Sequence, residues 1–233
     1  MNTKTDSNFE RRRLLLALVF PLLFVILFWI IKLMEVSLEI SLASYGMRPR
    51  DLSQWFGVIT MPFLHSGFKH LMANTSSFLI LGTILFYFYN KYSLQILGWS
   101  WLLTGLLTWI LGRENSVHIG ASGLVYAFAG FIFFSGVLSK NIRLMAISLI
   151  VVFMYGSMIW GVFPQNTNIS WEGHLAGFIT GIVLAFLYHP KDKKPDDEEY
   201  EYDECRNCTG NDEIEIFYEY KEKEDNKDSA NQK

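Results

Sequence analysis

Ser122, His174, His70 and Asn74 stand in apolar surroundings that have little ordinary use for them. A serine hydroxyl is a weak nucleophile until a base takes its proton, and neutral imidazole is the usual base. Ser122 lies in Gly120-Ala121-Ser122-Gly123 at the start of an apolar run. Its backbone N–H is then among the orphan donors of a helix's first turn and can face a developing oxyanion. His70 and Asn74 can add side-chain donors to the same oxyanion. No acid stands at the depth of His174; the nearest, Glu172, falls closer to the surface. Tyr126, one turn below Ser122 on the same face, can hold the imidazole by ring contact instead. The pattern predicts a Ser122–His174 dyad rather than a triad. It works while the imidazole is neutral and is silenced by acid.

These side chains must be carried by membrane-spanning helices. Apolar runs long enough to cross a bilayer cover residues 14–31, 71–89, 94–111, 122–138, 144–162 and 174–188, which predicts six spans. The first run follows Arg11-Arg12-Arg13 but is too long for a signal peptide's apolar core, so it reads as a retained helix. With the amino terminus inside, ten Lys/Arg fall in inner segments and five in outer loops, which predicts that both termini are cytoplasmic. Spans two, four and six then run inward and end at Lys91, Lys140 and Lys191. Asn74, Ser122 and His174 precede those lysines by 17, 18 and 17 residues. At 1.5 Å per residue all three sit about 25–27 Å above the inner boundary, at one level near the outer surface. Gly123, Ala127 and Gly130 on span four, with Gly173, Gly177, Gly181 and Ala185 on span six, provide small faces for close approach.

Charge divides the chain. Residues 191–233 hold 16 acidic and 8 basic residues, a net of −8, whereas residues 1–190 hold 7 and 12, a net of +5. So few charges over 190 residues exclude a soluble single-core domain. The expected organisation is an amino-terminal cytoplasmic segment (1–13), a six-span domain (14–190) and an acidic, disordered cytoplasmic tail (191–233). The outer connection from Lys32 to Lys69 carries Trp55, Phe56, Phe63 and Phe68, so it is expected to lie in the membrane interface.

The chain resembles the rhomboid family of intramembrane serine proteases. The resemblance rests on His65-Ser66-Gly67-Phe68-Lys69-His70-Leu71-Met72-Ala73-Asn74, on Gly120-Ala121-Ser122-Gly123 with Tyr126, and on His174-Leu175-Ala176-Gly177 with Gly181. It covers residues 14 to 190 and implies an all-α integral membrane protein, a six-transmembrane-helix bundle. It further implies Ser122 as nucleophile, and His174 as general base and then general acid. It implies His70, Asn74 and the Ser122 N–H as the oxyanion site, with Gly120 and Tyr126 on the oxyanion and substrate side. It also implies that substrates are single-span membrane proteins cut near the outer face through an acyl-enzyme. The family's frequent Trp-Arg pair in the first loop is missing: Arg48-Pro49-Arg50 and Trp55 are separated. The expected setting is the inner membrane of a bacterium, with the lipid bilayer as partner and no cofactor, metal or nucleic acid.

Other uses of these residues remain. Ser122 and His174 could make ordinary interhelical bonds, and His70 and Asn74 could simply hold span two. His118 competes as a base but falls above the helix start, and His65 reads as structural. A catalytically silent client-binding relative and a transporter are the rival functions; internal repeats, which a transporter would favour, are not found. Cys205-Arg206-Asn207-Cys208 has half a zinc site's spacing without a second pair, and Asn168-Ile169-Ser170 is a formal glycosylation site.

Overall fold

The computed structural model describes residues 3–164 and 170–189. The cysteine pair, the acidic tail and most of the Asn168-Ile169-Ser170 site lie outside the described residues. Helix α1 spans Thr3–Ser37, and a connection of short turns, including the single-turn α2 (Gly57–Thr60), leads to α3 (Phe68–Phe88). Then come α4 (Ser93–Leu111), α5 (Ser122–Leu138), α6 (Ile142–Tyr155) and α7 (Trp171–Tyr188). Among the described residues there are no strands, only one bridge between Met47 and His118. The chain is an all-α, multi-span membrane bundle, and each of the six expected crossings is a helix. Five are long and apolar enough to span a bilayer; α5 is shorter, at 17 residues.

Helix α5 occupies the middle. Eleven of its 17 residues are buried, among them Ala127, Phe128 and Phe131, because α3, α4, α6 and α7 surround it. Lipid tails are as apolar as these side chains, so close packing rather than dehydration must hold such a helix. Along α7 the small residues provide it. A Cβ added at Gly177 would run into the Gly123 carbonyl, and one at Gly181 into that of Ala127. On the other flank, Phe24 and Phe28 of α1 meet Phe78 of α3 and Phe63 of the connection. Arg13 closes one end of this pair, donating to the Tyr87 carbonyl at 3.0 Å with its guanidinium over the Tyr87 ring.

The long connection is folded rather than loose. Phe63 turns inward against Phe24 and Trp101, whereas Trp55 and Leu52 are exposed, 63% and 76%. In place of a Trp-Arg pair, Arg50 donates to the Ile110 carbonyl at 3.0 Å, and the Trp101 indole donates to the Ile59 carbonyl at 3.1 Å. A cation is well placed there, since the last carbonyls of α4 have no helical partners.

Helix ends differ from the apolar runs. Helices α3 and α7 begin three residues before Leu71 and His174, so His70 and Glu172 sit inside helices. In the first turn of α7, Glu172 and Gly173 are packed against protein, with Glu172 1% exposed, whereas Phe68 and Met72 at the start of α3 are exposed. The fifth run is α-helical only to Tyr155 and continues as a 3-10 helix over Gly156–Val162.

Candidate active site

Ser122 opens α5, two residues after Gly120, whose φ is +113°. That backbone suits glycine. The missing Cβ also leaves room: placed there, it would lie 2.6 Å from His70 Cε1 and 3.4 Å from Asn74 Nδ2. The Gly120 N–H is bound to the Met61 carbonyl at 2.8 Å, so this glycine contributes space rather than a donor. Asn74 is 4% exposed, and its Nδ2 has no acceptor among the described residues. His70 Nδ1 lies 3.2 Å from Ser66 Oγ. With the hydroxyl donating to Nδ1, Nε2 keeps its hydrogen and faces the Gly120 side.

Across the same space, the Ser122 hydroxyl stands 2.9 Å from His174 Nε2. His174 Nδ1 lies 3.0 Å from the Gly161 carbonyl, which can only accept. The imidazole is therefore held as the Nδ1–H tautomer, with Nε2 free to take a proton. The Tyr126 ring stacks on the imidazole at 4.3 Å and 12°, and its hydroxyl donates to the Met158 carbonyl at 2.7 Å. The structure thus brings together Ser122, His174 and Tyr126 on one side and His70, Asn74 and Gly120 on the other. A cavity of about 870 Å³ runs between them, rimmed by Arg113, Glu114, Asn115 and Ser116. This arrangement can move a proton from a hydroxyl to a ring while donors wait on the opposite wall.

Two other histidines fall elsewhere. His118 lies 2.8 Å from Ser116 Oγ through Nε2 and 2.5 Å from Ser170 Oγ through Nδ1, so both nitrogens are engaged away from Ser122. Burial holds its pKa below the ordinary imidazole value. His65 is 3% exposed and sets its ring edge-on to His70, with centroids 5.3 Å apart. Burial, then the neighbouring His70 and Lys32, push its pKa down to about 4.

Sequence reasoning missed the carbonyls of Gly161 and Met158. Every residue carries a carbonyl, so no residue type could have signalled them. It also missed the ion pair of Arg113 with Glu172, 2.5 Å apart, for which opposite charges beside the two motifs were a usable hint.

Known proteins show the same stretch. The family model for the Rhomboid domain matches residues 52–191, which contain every residue of the site. An uncharacterized protein of Mycobacterium tuberculosis is 33% identical over 204 residues, covering 82% of this chain and 83% of the relative. A Bacillus subtilis protein named as a candidate rhomboid protease is 30% identical over 141 residues, 58% of this chain and 67% of its own. Rhomboid-like protein 11, chloroplastic, of Arabidopsis thaliana is 25% identical over 188 residues, 69% and 64%.

Proposed function

Because the chain belongs to the rhomboid family and is thereby a rhomboid-type serine protease of the membrane, we propose that Ser122 and His174 carry its chemistry. His174 Nε2 takes the Ser122 hydroxyl proton as Oγ attacks the scissile carbonyl carbon. The resulting oxyanion is met by the Ser122 N–H, the Asn74 Nδ2 and the His70 Nε2–H. Collapse breaks the C–N bond, His174 returns its proton to the leaving amine, and an ester on Ser122 remains. Water, deprotonated by the same imidazole, then hydrolyses the ester and frees Ser122. Tyr126 and the Gly161 carbonyl keep the ring oriented throughout, the task a carboxylate performs in a triad. The observation that carries this reading is the 2.9 Å contact between Ser122 and His174, made by two separate helices.

The substrate is a single-span membrane protein, cut near its outer end. In support, the exposed Glu114 and Asn115 of the loop before α5 line the cavity, and Ser122 stands at the start of a helix only 17 residues long. Such a helix covers about 26 Å, less than a hydrocarbon core of about 30 Å, which lets water reach this level. Residues 14–190 are the protease domain, residues 191–233 an acidic cytoplasmic tail, and the setting a bacterial inner membrane with both termini inside.

The test is purified protein with a single-span reporter in detergent, comparing wild type, Ser122→Ala and His174→Ala. Cleavage should fall at least about 10³-fold in both variants. Labelling of wild type by a fluorophosphonate, lost in Ser122→Ala, should accompany it. Cleavage retained in either variant ends the assignment, and absence of both cleavage and labelling in folded wild type favours the silent client-binding relative.

A further inference from the structure

Two polar straps join the loop that delivers Ser122 to the helix that delivers His174, and the steps above use neither. The first is the ion pair between Arg113, just past the end of α4, and Glu172 in the first turn of α7, with Arg113 Nε 2.5 Å from Glu172 Oε1. The second is His118 Nδ1 with Ser170 Oγ, 2.5 Å apart. Ser170 in turn accepts the backbone N–H of His174 on its carbonyl at 3.1 Å. Glu172 is 1% exposed and only two residues from His174. A buried carboxylate is unfavourable without a partner, and an apolar pair would hold two segments together as well or better. What this ion pair adds is a closeness requirement: the buried Glu172 charge is compensated only while Arg113 lies against it, which ties the start of α7 to the end of α4.

We propose that Glu172, held by Arg113, is a positioning residue for the Ser122–His174 pair. With the His118–Ser170 bond it clasps the first turn of α7 to the nucleophile loop, so that the imidazole stays within bonding reach of the hydroxyl. The glycine contacts between α5 and α7 set the spacing of the helices at Gly177 and Gly181, below His174 on α7. The clasp acts at the other end, where the base is attached. This inference rests on the assignment of Ser122 and His174.

Misplacing a reacting group by about 1 Å lowers a rate about 10²-fold. Glu172→Gln, which keeps the shape and removes the charge, should therefore lower kcat about 10- to 100-fold with KM unchanged. Arg113→Gln should match it, Arg113→Lys should recover most of the loss, and the Glu172→Gln/Arg113→Gln double variant should be no slower than either single one. Kinetics are read on the single-span reporter, on protein that elutes as one peak, with melting temperatures alongside. A Glu172→Gln enzyme with wild-type kcat, a rise in KM alone, or a loss in Arg113→Lys as deep as in Arg113→Gln would each overturn the clasp. Should Glu172→Gln not fold, Ser170→Ala decides: reduced kcat at constant KM upholds the clasp and wild-type kcat overturns it. Cleavage surviving in Ser122→Ala would remove the underlying assignment, whereas an inactive Ser122→Ala beside a fully active Glu172→Gln would remove only the clasp.

Discussion

Asn74 is a buried donor that donates to nothing among the described residues. Leaving such a group unmade costs about 1–3 kcal/mol, so folding alone does not favour it. An oxyanion beside Gly120 would give the Nδ2 its acceptor only during reaction, which is where a donor accelerates chemistry. Asn74→Ala is therefore expected to lower kcat about 10²- to 10³-fold while KM holds. Its melting temperature should equal or exceed that of wild type, because no resting hydrogen bond is removed. Calorimetry beside steady-state kinetics reads both; a lowered melting temperature with intact kcat would return Asn74 to a helix-holding role. Ser122, His174, His70, Asn74 and Tyr126 were legible in the sequence because their side chains are unusual where they stand. The Gly161 and Met158 carbonyls were not, since it is the backbone around them that makes them special.

That backbone change belongs to the helices. Where α6 gives way to a 3-10 helix at Gly156, the pattern of internal hydrogen bonding is broken and carbonyls near the end lose their partners. The Met158 and Gly161 carbonyls in this stretch receive Tyr126 and His174. The apolar run to Val162 hid this transition, because hydropathy does not distinguish one helix type from another. Counting residues back from Lys91, Lys140 and Lys191 did anticipate that Asn74, Ser122 and His174 come together, since rise per residue is fixed wherever the helix is regular. The small-residue faces were legible too, and they give a sharp expectation. Gly177→Ala places a methyl against the Gly123 backbone, a contact that can be relieved only by moving α5 from α7. It should cost about 1–3 kcal/mol of stability and reduce kcat as the hydroxyl and imidazole separate. Gly98→Ala on α4, where an added methyl meets nothing within 4 Å, is the control and should behave as wild type. Equal activity in both variants would mean that this packing face does not set the dyad.

At the scale of the whole chain the question is which side the cavity opens to. The mouth residues Glu114, Asn115 and Ser116 and the Met47–His118 bridge share one end of the bundle, and Ser122 is only partly buried there. Lys140, at the far end of α5, is exposed. If ten inner against five outer basic residues set the orientation, Ser122 faces the outside and Lys140 the cytoplasm. Side-specific thiol labelling separates the two. With Cys205 and Cys208 replaced by serine, Ser122→Cys should react with a membrane-impermeant maleimide in right-side-out vesicles, and Lys140→Cys only after permeabilisation. The reverse order would place the amino terminus outside and move the cut to the cytoplasmic face. A Ser122→Cys protein that stays unlabelled from both sides, while Lys140→Cys reacts, would mean that water does not reach the serine. Hydrolysis requires that water, so that outcome would remove the protease mechanism while leaving the fold as described.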